Sequence, residues 1–202
     1  MRPSGPDRDG RSSEVILVLA SASPQRRAIL EQLGVEFTVR AADVEERRHG
    51  DPERLVFDNA LLKARAVRGS RVLGADTAVA VDGDVLGKPA GEVEARAFIE
   101  RLSGREHLVW SGVALTEEGT ERTAVDSARV RFRHLGKGDV DWYLSTGEWR
   151  GRAGGYAIQG RGGALVEAIE GDYNCVVGLP VAALVRLAPS LIVRCPCPPK
   201  AG

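Results

Sequence analysis

Residues 15–27 combine an apolar run with side chains that could bind phosphate. The run over residues 15–20 has the length and the branched side chains of a buried strand. Ser23 and Pro24 then predict the N-cap and the first residue of a helix. The free amide groups of such a helix start, with Arg26 and Arg27 one turn further on, could hold a phosphate. Alternatively, Ser23 only caps the helix and the arginines are solvated.

Two acidic positions could bind a metal ion or act on water. An acidic cluster at residues 43–46 follows a predicted strand, and Asp76 ends an apolar strand predicted over residues 71–75. Folds of the α/β class place metal and substrate at strand ends. Carboxylate oxygens suit Mg²⁺ bridging to phosphate, and a carboxylate can also orient or deprotonate water. Otherwise Asp76 is a turn or cap residue, and Glu45 and Glu46 belong to a solvated loop.

Two lysines and a glycine-rich segment could contact a nucleotide. Lys63 lies in the latter half of a predicted helix, and Lys88 stands between Gly87 and Pro89. Both lysines could neutralise a triphosphate, although isolated lysines are usually only solvated. Within the glycine-rich residues 154–163, Gln159 could pair with the edge of a base, and Tyr156 could stack on the base or fill the core. An ordinary glycine-rich loop is the alternative.

The elements that must position these residues alternate between helices and strands. Helices are expected from Ser23 to Gly34, from Asp51 to about Arg68, over residues 92–102, near residues 139–145 and at the C-terminal end. Strands are expected at residues 37–40, 79–81, 84–86, 107–115, 124–132, 164–169 and 174–177, with tight turns at Asp82-Gly83 and Glu118-Gly119. Alternation combined with hairpins predicts an α/β fold whose sheet is mixed rather than purely parallel.

Composition limits the partners and the compartment. The chain has 202 residues, which suits one domain or two lobes that share a sheet, and 28 basic residues balance 28 acidic ones. Because the net charge is close to zero, the overall electrostatic field does not favour binding to nucleic acid or to an acidic membrane, and any anion site must be local. The three cysteines fit neither a zinc knuckle nor a CxxC pair, which favours the cytoplasm. We expect residues 1–14 and 195–202 to be flexible tails, with no signal peptide or membrane span.

Taken together and in this order, the segments closely resemble the Maf family of nucleoside-triphosphate pyrophosphatases, over residues 17–187. The resemblance rests on residues 19–24 with Arg26, 43–46, 63–66, 73–77, 87–89, 102–104 with His107, and 156–160 followed by 176–180. It implies a two-lobed α/β fold, similar to that of the inosine-triphosphate pyrophosphatases, over residues 15–190. A central mixed sheet is flanked by helices, and a cleft separates the lobes.

The resemblance also implies hydrolysis of a nucleoside triphosphate to the monophosphate and pyrophosphate. Asp76 matches the catalytic carboxylate of the family, and Glu46 matches the glutamate expected to join Asp76 in binding Mg²⁺ or Mn²⁺. Asp76 could act mainly as the base or mainly as a metal ligand. The remaining implied substrate-binding residues are Ser21, Ser23 and Arg26 for the triphosphate and Lys63 and Lys88 for its charge.

Base preference follows from two further positions. Thr77 after Asp76, together with Gln159, resembles the subgroup that acts on dTTP and UTP. Gln25 is a departure, because that subgroup has an arginine linked to specificity at this position, and Arg152 replaces the usual lysine. The alternatives are an inosine- or xanthosine-triphosphate pyrophosphatase, and a regulator of cell division that binds nucleotides without turnover. A homodimer is the oligomer that the resemblance suggests.

Overall fold

A computed structural model describes residues 16–192, and within that range one sheet runs between two sets of helices. The strands are β1 (Leu17–Leu19), β2 (Phe37–Val39), β3 (Arg71–Val81), β4 (Asp84–Leu86), β5 (Glu106–Glu117), β6 (Thr120–Phe132) and β7 (Val166–Glu170). The α-helices are α1 (Pro24–Gln32), α2 (Pro52–Ala66), α3 (Glu92–Leu102), α4 (Lys137–Ser145), α5 (Tyr173–Val177) and α6 (Val181–Leu187). Short 3₁₀ helices cover Ala153–Gly155, Arg161–Leu165 and Pro189–Leu191.

The sheet is mixed, as predicted. Its order is β2-β1-β3-β5-β6-β7; β1 is parallel to both β2 and β3, and the remaining pairs are antiparallel. Strand β4 also pairs with β3, antiparallel and over Val79–Val81. Since β5 pairs with one edge of β3 along almost its whole length, β1 and β4 must share the other edge.

A gap in this second edge of β3 fixes the position of the site. The pairing with β1 ends at Leu73, and the pairing with β4 begins at Val79. Residues 74–78 of β3 therefore have no neighbouring strand on that side. Successive side chains of a strand point to opposite faces, so a ligand in the gap can reach residues on both faces of the sheet.

Helix α2 lies unusually close to β3 and β5 because glycines face it. A Cβ on Gly74 would collide with the Ala60 carbonyl, and one on Gly112 would lie 2.5 Å from the Val56 carbonyl oxygen. Such close packing brings the side chains of α2 directly over the middle of β3. The helix begins at an N-cap, Asp51, whose carboxylate accepts from the Arg54 amide at 2.8 Å.

The core divides into two main clusters, which agrees with the predicted two-lobed fold. One cluster gathers side chains from α3, α4, β5 and β6, including Ile99, Phe132 and Tyr143. The other packs α1 and α6 against β1 and the first half of β3, including Leu19, Leu30 and Leu184.

Several local predictions are confirmed. Ser23 is the N-cap of α1, and Pro24 is its first residue. Both residues of the Asp82-Gly83 turn have positive φ, at 54° and 83°.

Within residues 16–192 there is no helix of the length and apolar character needed to cross a bilayer. Val15, the predicted tails and two of the cysteines, Cys195 and Cys197, lie outside the described residues.

Other local predictions are wrong. Residues 174–177 form a helix rather than a strand, because Asp172 caps its start by accepting from the Asn174 amide and Gly178 ends it with a φ of 126°. The two strands predicted at residues 71–75 and 79–81 are one continuous strand, β3. Two further elements are confirmed with small shifts at their ends: α2 ends at Ala66 rather than about Arg68, and the strand predicted at residues 164–169 is β7, which begins at Val166 after a 3₁₀ turn.

Candidate active site

A cavity of about 480 Å³ lies at the gap between β1 and β4, and the ten residues that the family resemblance placed in the site all line it. Those residues are Ser21, Ser23, Gln25, Arg26, Glu46, Lys63, Asp76, Thr77, Lys88 and Gln159. They come from six separate segments of the chain. The fold therefore brings together side chains that the sequence could only list.

Asp76 and Glu46 share the ammonium group of Lys63. The Lys63 Nζ lies 2.6 Å from Asp76 Oδ1 and 3.0 Å from Glu46 Oε1. The side chains of Lys63 and Asp76 are 7% and 8% exposed, whereas that of Glu46 is 33% exposed. Two carboxylates thus converge on one buried cation, and the Glu46 carboxylate reaches the solvent side of the cleft.

The position of Asp76 within its strand corrects the sequence interpretation. Asp76 lies in the middle of the eleven-residue strand β3 rather than at a strand end. The strand continues because β5 pairs with it through Ala80. What ends near Asp76 is the neighbouring strand β1, and this termination opens the edge of β3.

Asn59 is a site residue that the sequence analysis missed. Its side-chain amide donates to Asp76 Oδ2 at 2.9 Å, so each oxygen of the Asp76 carboxylate accepts a hydrogen bond. Asn59 is buried in α2, four residues before Lys63, and this spacing puts both side chains on the same face of the helix. The i, i+4 spacing to Lys63 was the available signal, but an asparagine inside an amphipathic helix does not reveal its partner.

Arg26, in the first turn of α1, makes hydrogen bonds to other residues of the protein. Its guanidinium donates from Nε to the Gly178 carbonyl at 2.8 Å, from Nη1 to Ser21 Oγ at 3.0 Å and from Nη2 to Thr77 Oγ1 at 3.2 Å. Burial lowers the pKa of Arg26, and the nearby carboxylates of Asp76 and Glu46 partly oppose that effect. Arg27, in contrast, is exposed and pairs with Glu31 at 2.7 Å, so it contributes nothing to the lining of the cavity.

The Thr77 hydroxyl is already engaged within the protein. It accepts from Arg26, lies 2.9 Å from Ser111 Oγ and 3.3 Å from the Gly178 carbonyl. Ser111 is fully buried and donates to the Cys175 carbonyl at 2.8 Å. Thr77 therefore ties Arg26 to β5 and α5 and can influence a ligand through the placement of that arginine.

Gln25, Gln159 and Tyr156 also line the cavity, but they differ in exposure and in contacts. Gln25 is half-buried, and its Oε1 accepts from the Ser23 hydroxyl at 3.0 Å, while Gln159 is exposed. Tyr156 is buried and its hydroxyl lies 2.8 Å from His107 Nε2, so of the two readings of this tyrosine the structure favours core filling. His107 is buried against the rings of Phe132 and Tyr156, and burial lowers its pKa to about 4.

The family comparison agrees with this arrangement. The family model described as "Maf-like protein" matches residues 16–191. The chain belongs to the Maf-like family. Relatives named "dTTP/UTP pyrophosphatase" include one from Symbiobacterium thermophilum, 49% identical over 85% of this chain and 91% of that protein. Another, from Myxococcus xanthus, is 46% identical over 87% of this chain and 92% of its own length. A third, from Pyrococcus abyssi, is 41% identical over 85% and 94%.

Positive charge predominates in the cleft of this Maf-like chain. Besides Arg26, Lys63 and Lys88, two arginines that the sequence analysis left out of the site, Arg150 and Arg152, line the cavity. Glu46 and Asp76 are its only acidic lining residues among the described ones. Arg152 keeps the charge of the lysine that the family usually has, and its buried Nε has no hydrogen-bond partner within residues 16–192. The lining carries an excess of three positive charges, which suits a polyanion.

A second cavity of about 940 Å³ adjoins the first and is lined by the loop before α2, β4 and α3. The two cavities share Glu46, Asp76, Thr77 and Lys88. The two carboxylates consequently stand where both cavities meet.

The donor set fits a hard divalent cation that also binds phosphate. No group of three or more acidic, histidine or cysteine side chains arranged to hold a metal occurs within residues 16–192. Glu46 and Asp76 supply two oxygen ligands, and both still have free lone pairs, since Lys63 and Asn59 use only part of their capacity. Mg²⁺ typically binds through one or two carboxylates together with substrate phosphates and water, which this pair allows.

Proposed function

We propose that this protein hydrolyses nucleoside triphosphates to the monophosphate and pyrophosphate, with dTTP and UTP as preferred substrates. The observation that carries the proposal is the pair of carboxylates, Asp76 and Glu46, held by Lys63 within a cleft that is otherwise cationic. The names of the relatives support the same reaction and the same two nucleotides. Cysteine usage supports a cytoplasmic location, and the family resemblance supports a homodimer.

In this proposal Glu46 and Asp76 hold Mg²⁺ or Mn²⁺ when the substrate binds. The ion would supply positive charge to the phosphate oxygens and to the pyrophosphate as it leaves. Lys63 and Lys88 supplement that charge, and Ser21, Ser23 and Arg26 orient the triphosphate at the start of α1. The protein thus stabilises charge and positions the substrate, which is what phosphoryl-transfer chemistry mainly requires.

The chemical step is attack of water on the α-phosphorus. A new bond forms between the water oxygen and the α-phosphorus, and the bond from that phosphorus to the bridging oxygen breaks, so that pyrophosphate leaves. The Asp76 carboxylate orients the water and accepts its proton. Hydrogen bonds from Lys63 and Asn59, one to each oxygen of Asp76, fix the orientation of this carboxylate.

Base selection is assigned to the wall formed by Gln25, Thr77 and Gln159. A side-chain amide offers both a donor and an acceptor, which suits the carbonyl-imide-carbonyl edge that thymine and uracil share. Gln159 is exposed and free to reach a ligand, whereas Thr77 acts through Arg26. Gln25 provides no cation, so the preference for dTTP and UTP is expected to have a broad tail of other accepted nucleotides.

Pyrophosphate release from a panel of nucleoside triphosphates, measured with Mg²⁺ and with Mn²⁺, tests the proposal. Highest kcat/KM for dTTP and UTP is the expected result. A preference for ITP or XTP would support the alternative pyrophosphatase, and tight binding without turnover would support the regulator.

Asp76→Asn tests the assigned catalytic residue. Because an amide cannot accept the proton from water and is a poor ligand for a hard cation, kcat should fall by about 10²–10⁴-fold while the protein stays folded. Asp141→Asn, a change of the same kind at an exposed position of α4, should leave kcat unchanged. Retention of more than about a tenth of the wild-type kcat would remove Asp76 from this role.

A further inference from the structure

Asn59 joins the Asp76 carboxylate to the loop that carries Glu46. We call residues 43–50 the acidic loop. The Asn59 Nδ2 donates to Asp76 Oδ2 and to the Arg47 carbonyl oxygen, both at 2.9 Å, and its Oδ1 accepts from the Arg47 amide, also at 2.9 Å. Asn59 itself is 1% exposed. Both N–H groups and the carbonyl oxygen of the side-chain amide thus bind to the site or to the loop.

These contacts admit only one orientation of the amide. Two of its three partners, Asp76 Oδ2 and the Arg47 carbonyl, can only accept, whereas the Arg47 amide can only donate. A flipped side chain would lose all three bonds. An aspartate would offer no donor to the two acceptors, and a leucine of similar volume would offer neither donor nor acceptor.

The acidic loop depends on such anchors because it has no regular structure of its own. Its residues lie outside any helix or strand, and most are exposed. The Arg47 side chain also contacts α2, through Asp58 at 2.7 Å, but that pair is on the surface and does not hold the main chain. Glu46 is adjacent to Arg47, so fixing the Arg47 peptide groups fixes the start of the Glu46 side chain.

Helix α2, which carries Asn59, is packed tightly against the sheet. Helix α2 is held against β3 and β5 by the close approach at Gly74 and Gly112. Asn59 therefore links both carboxylates to this packed helix. It bonds to Asp76 directly and to the main chain of Arg47, which is next to Glu46. It does so with a neutral group, which leaves the negative charge of the pair available for a cation.

We propose that Asn59 is a positioning residue that holds Asp76 and the Glu46-bearing loop in the relative arrangement needed for turnover. The inference rests on the proposed function, since it takes those two carboxylates as the reacting pair. Loss of a partner that orients metal-binding or catalytic groups typically costs about 10–100-fold in activity or metal affinity.

The test compares Asn59→Leu with Asp58→Asn, which weakens the surface contact to Arg47 and leaves the Asn59 bridge intact. Steady-state kinetics with dTTP and Mg²⁺ give kcat and KM. Hydrogen exchange on the protein without nucleotide or metal reports the protection of residues 43–50. For Asn59→Leu we expect kcat to fall about 10–100-fold with KM within about threefold, and exchange of the acidic loop to accelerate. For Asp58→Asn we expect neither change.

Asn59→Asp provides a second variant if the leucine protein does not fold. It keeps an acceptor for the Arg47 amide but no donor for Asp76, so kcat should fall about tenfold or more while the Arg47 amide stays protected. An Asn59 variant with kcat within about threefold of wild type would overturn the inference, as would a rise in KM at unchanged kcat. Equal acceleration of loop exchange in Asp58→Asn would overturn it as well. If the wild-type protein releases no pyrophosphate from any triphosphate, it is the proposed function that fails.

Discussion

Replacing Lys63 by methionine tests the buried charge arrangement at the centre of the site. Methionine keeps an unbranched side chain of similar length, so the packing in α2 is largely preserved while the ammonium is lost. The variant leaves the Asp76 carboxylate, whose side chain is 8% exposed, and the Glu46 carboxylate without the cation that they share. Both carboxylates would then lack the ammonium group that now lies between them.

The size of the effect follows from burial. Removing one partner of a buried ion pair costs about 3–5 kcal/mol, because the remaining charge is left uncompensated. For a protein of this size that corresponds to a decrease in Tm of about 6–20 °C. Lys88→Met is the matched control, since Lys88 is 60% exposed and lies 3.8 Å from the same Glu46 carboxylate. A surface pair of this kind contributes less than about 1 kcal/mol.

The assay is thermal unfolding in EDTA and then across a range of Mg²⁺ concentrations. In EDTA, Lys63→Met should unfold well below both the wild type and Lys88→Met. Mg²⁺ should then stabilise Lys63→Met more than it stabilises the wild type, because the ammonium no longer repels the ion. We expect at least a tenfold lower Mg²⁺ dissociation constant, or about 1.4 kcal/mol.

Two results would refute this reasoning. If Lys63→Met and Lys88→Met were equally stable in EDTA, the buried cation would not be compensating the two carboxylates. If Mg²⁺ raised the Tm of the wild type and of Lys63→Met by the same amount, the ion would bind elsewhere. Turnover does not distinguish the two lysines: both variants should hydrolyse dTTP poorly, although only Lys63→Met is unstable.

Two further predictions concern specificity and pH. Gln25→Arg restores a cation beside the base-binding wall and should raise the kcat/KM ratio of dTTP and UTP over CTP; unchanged ratios across the nucleotide panel would exclude Gln25 from specificity. Burial lowers the pKa of His107 from 6.5 to about 4, so the unfolded state binds the extra proton first, and stability should decline as the pH falls from 6.5 to 4. The decline amounts to about 3 kcal/mol, and His107→Gln should remove it from the pH dependence of urea unfolding; an identical dependence in that variant would contradict the assignment.

Local chemistry made much of the framework predictable. The caps at Ser23 and Asp51, the Asp82-Gly83 hairpin and the mixed α/β character all follow from interactions between residues close in sequence. Motif resemblance went further and identified ten residues that prove to line one cavity. The caps, the hairpin and the family motifs depend only on residue type and spacing, and both can be read directly from the sequence.

Two elements were predicted wrongly, one because a local cap was missed and one because of a long-range strand pairing. The β-branched pair at residues 176–177 favours a strand, but the cap at Asp172 and the turn at Gly178 make it a helix whose end supplies the carbonyl that binds Arg26. The sequence around Asp76 predicts the end of a short apolar strand. The strand continues because β3 pairs with β5, which comes about thirty residues later in the chain.

The sequence by itself determined which chemical groups the site contains, and the tertiary structure decided how they are used. Nothing local indicates that Lys63 lies between two carboxylates or that Arg26 donates three hydrogen bonds within the protein. Nor does anything local give Asn59 its partners, which lie 12 and 17 residues away in the sequence. Burial and hydrogen-bond partners depend on segments that meet only after the sheet has formed, because a side chain's own sequence neighbours do not fix what packs against it.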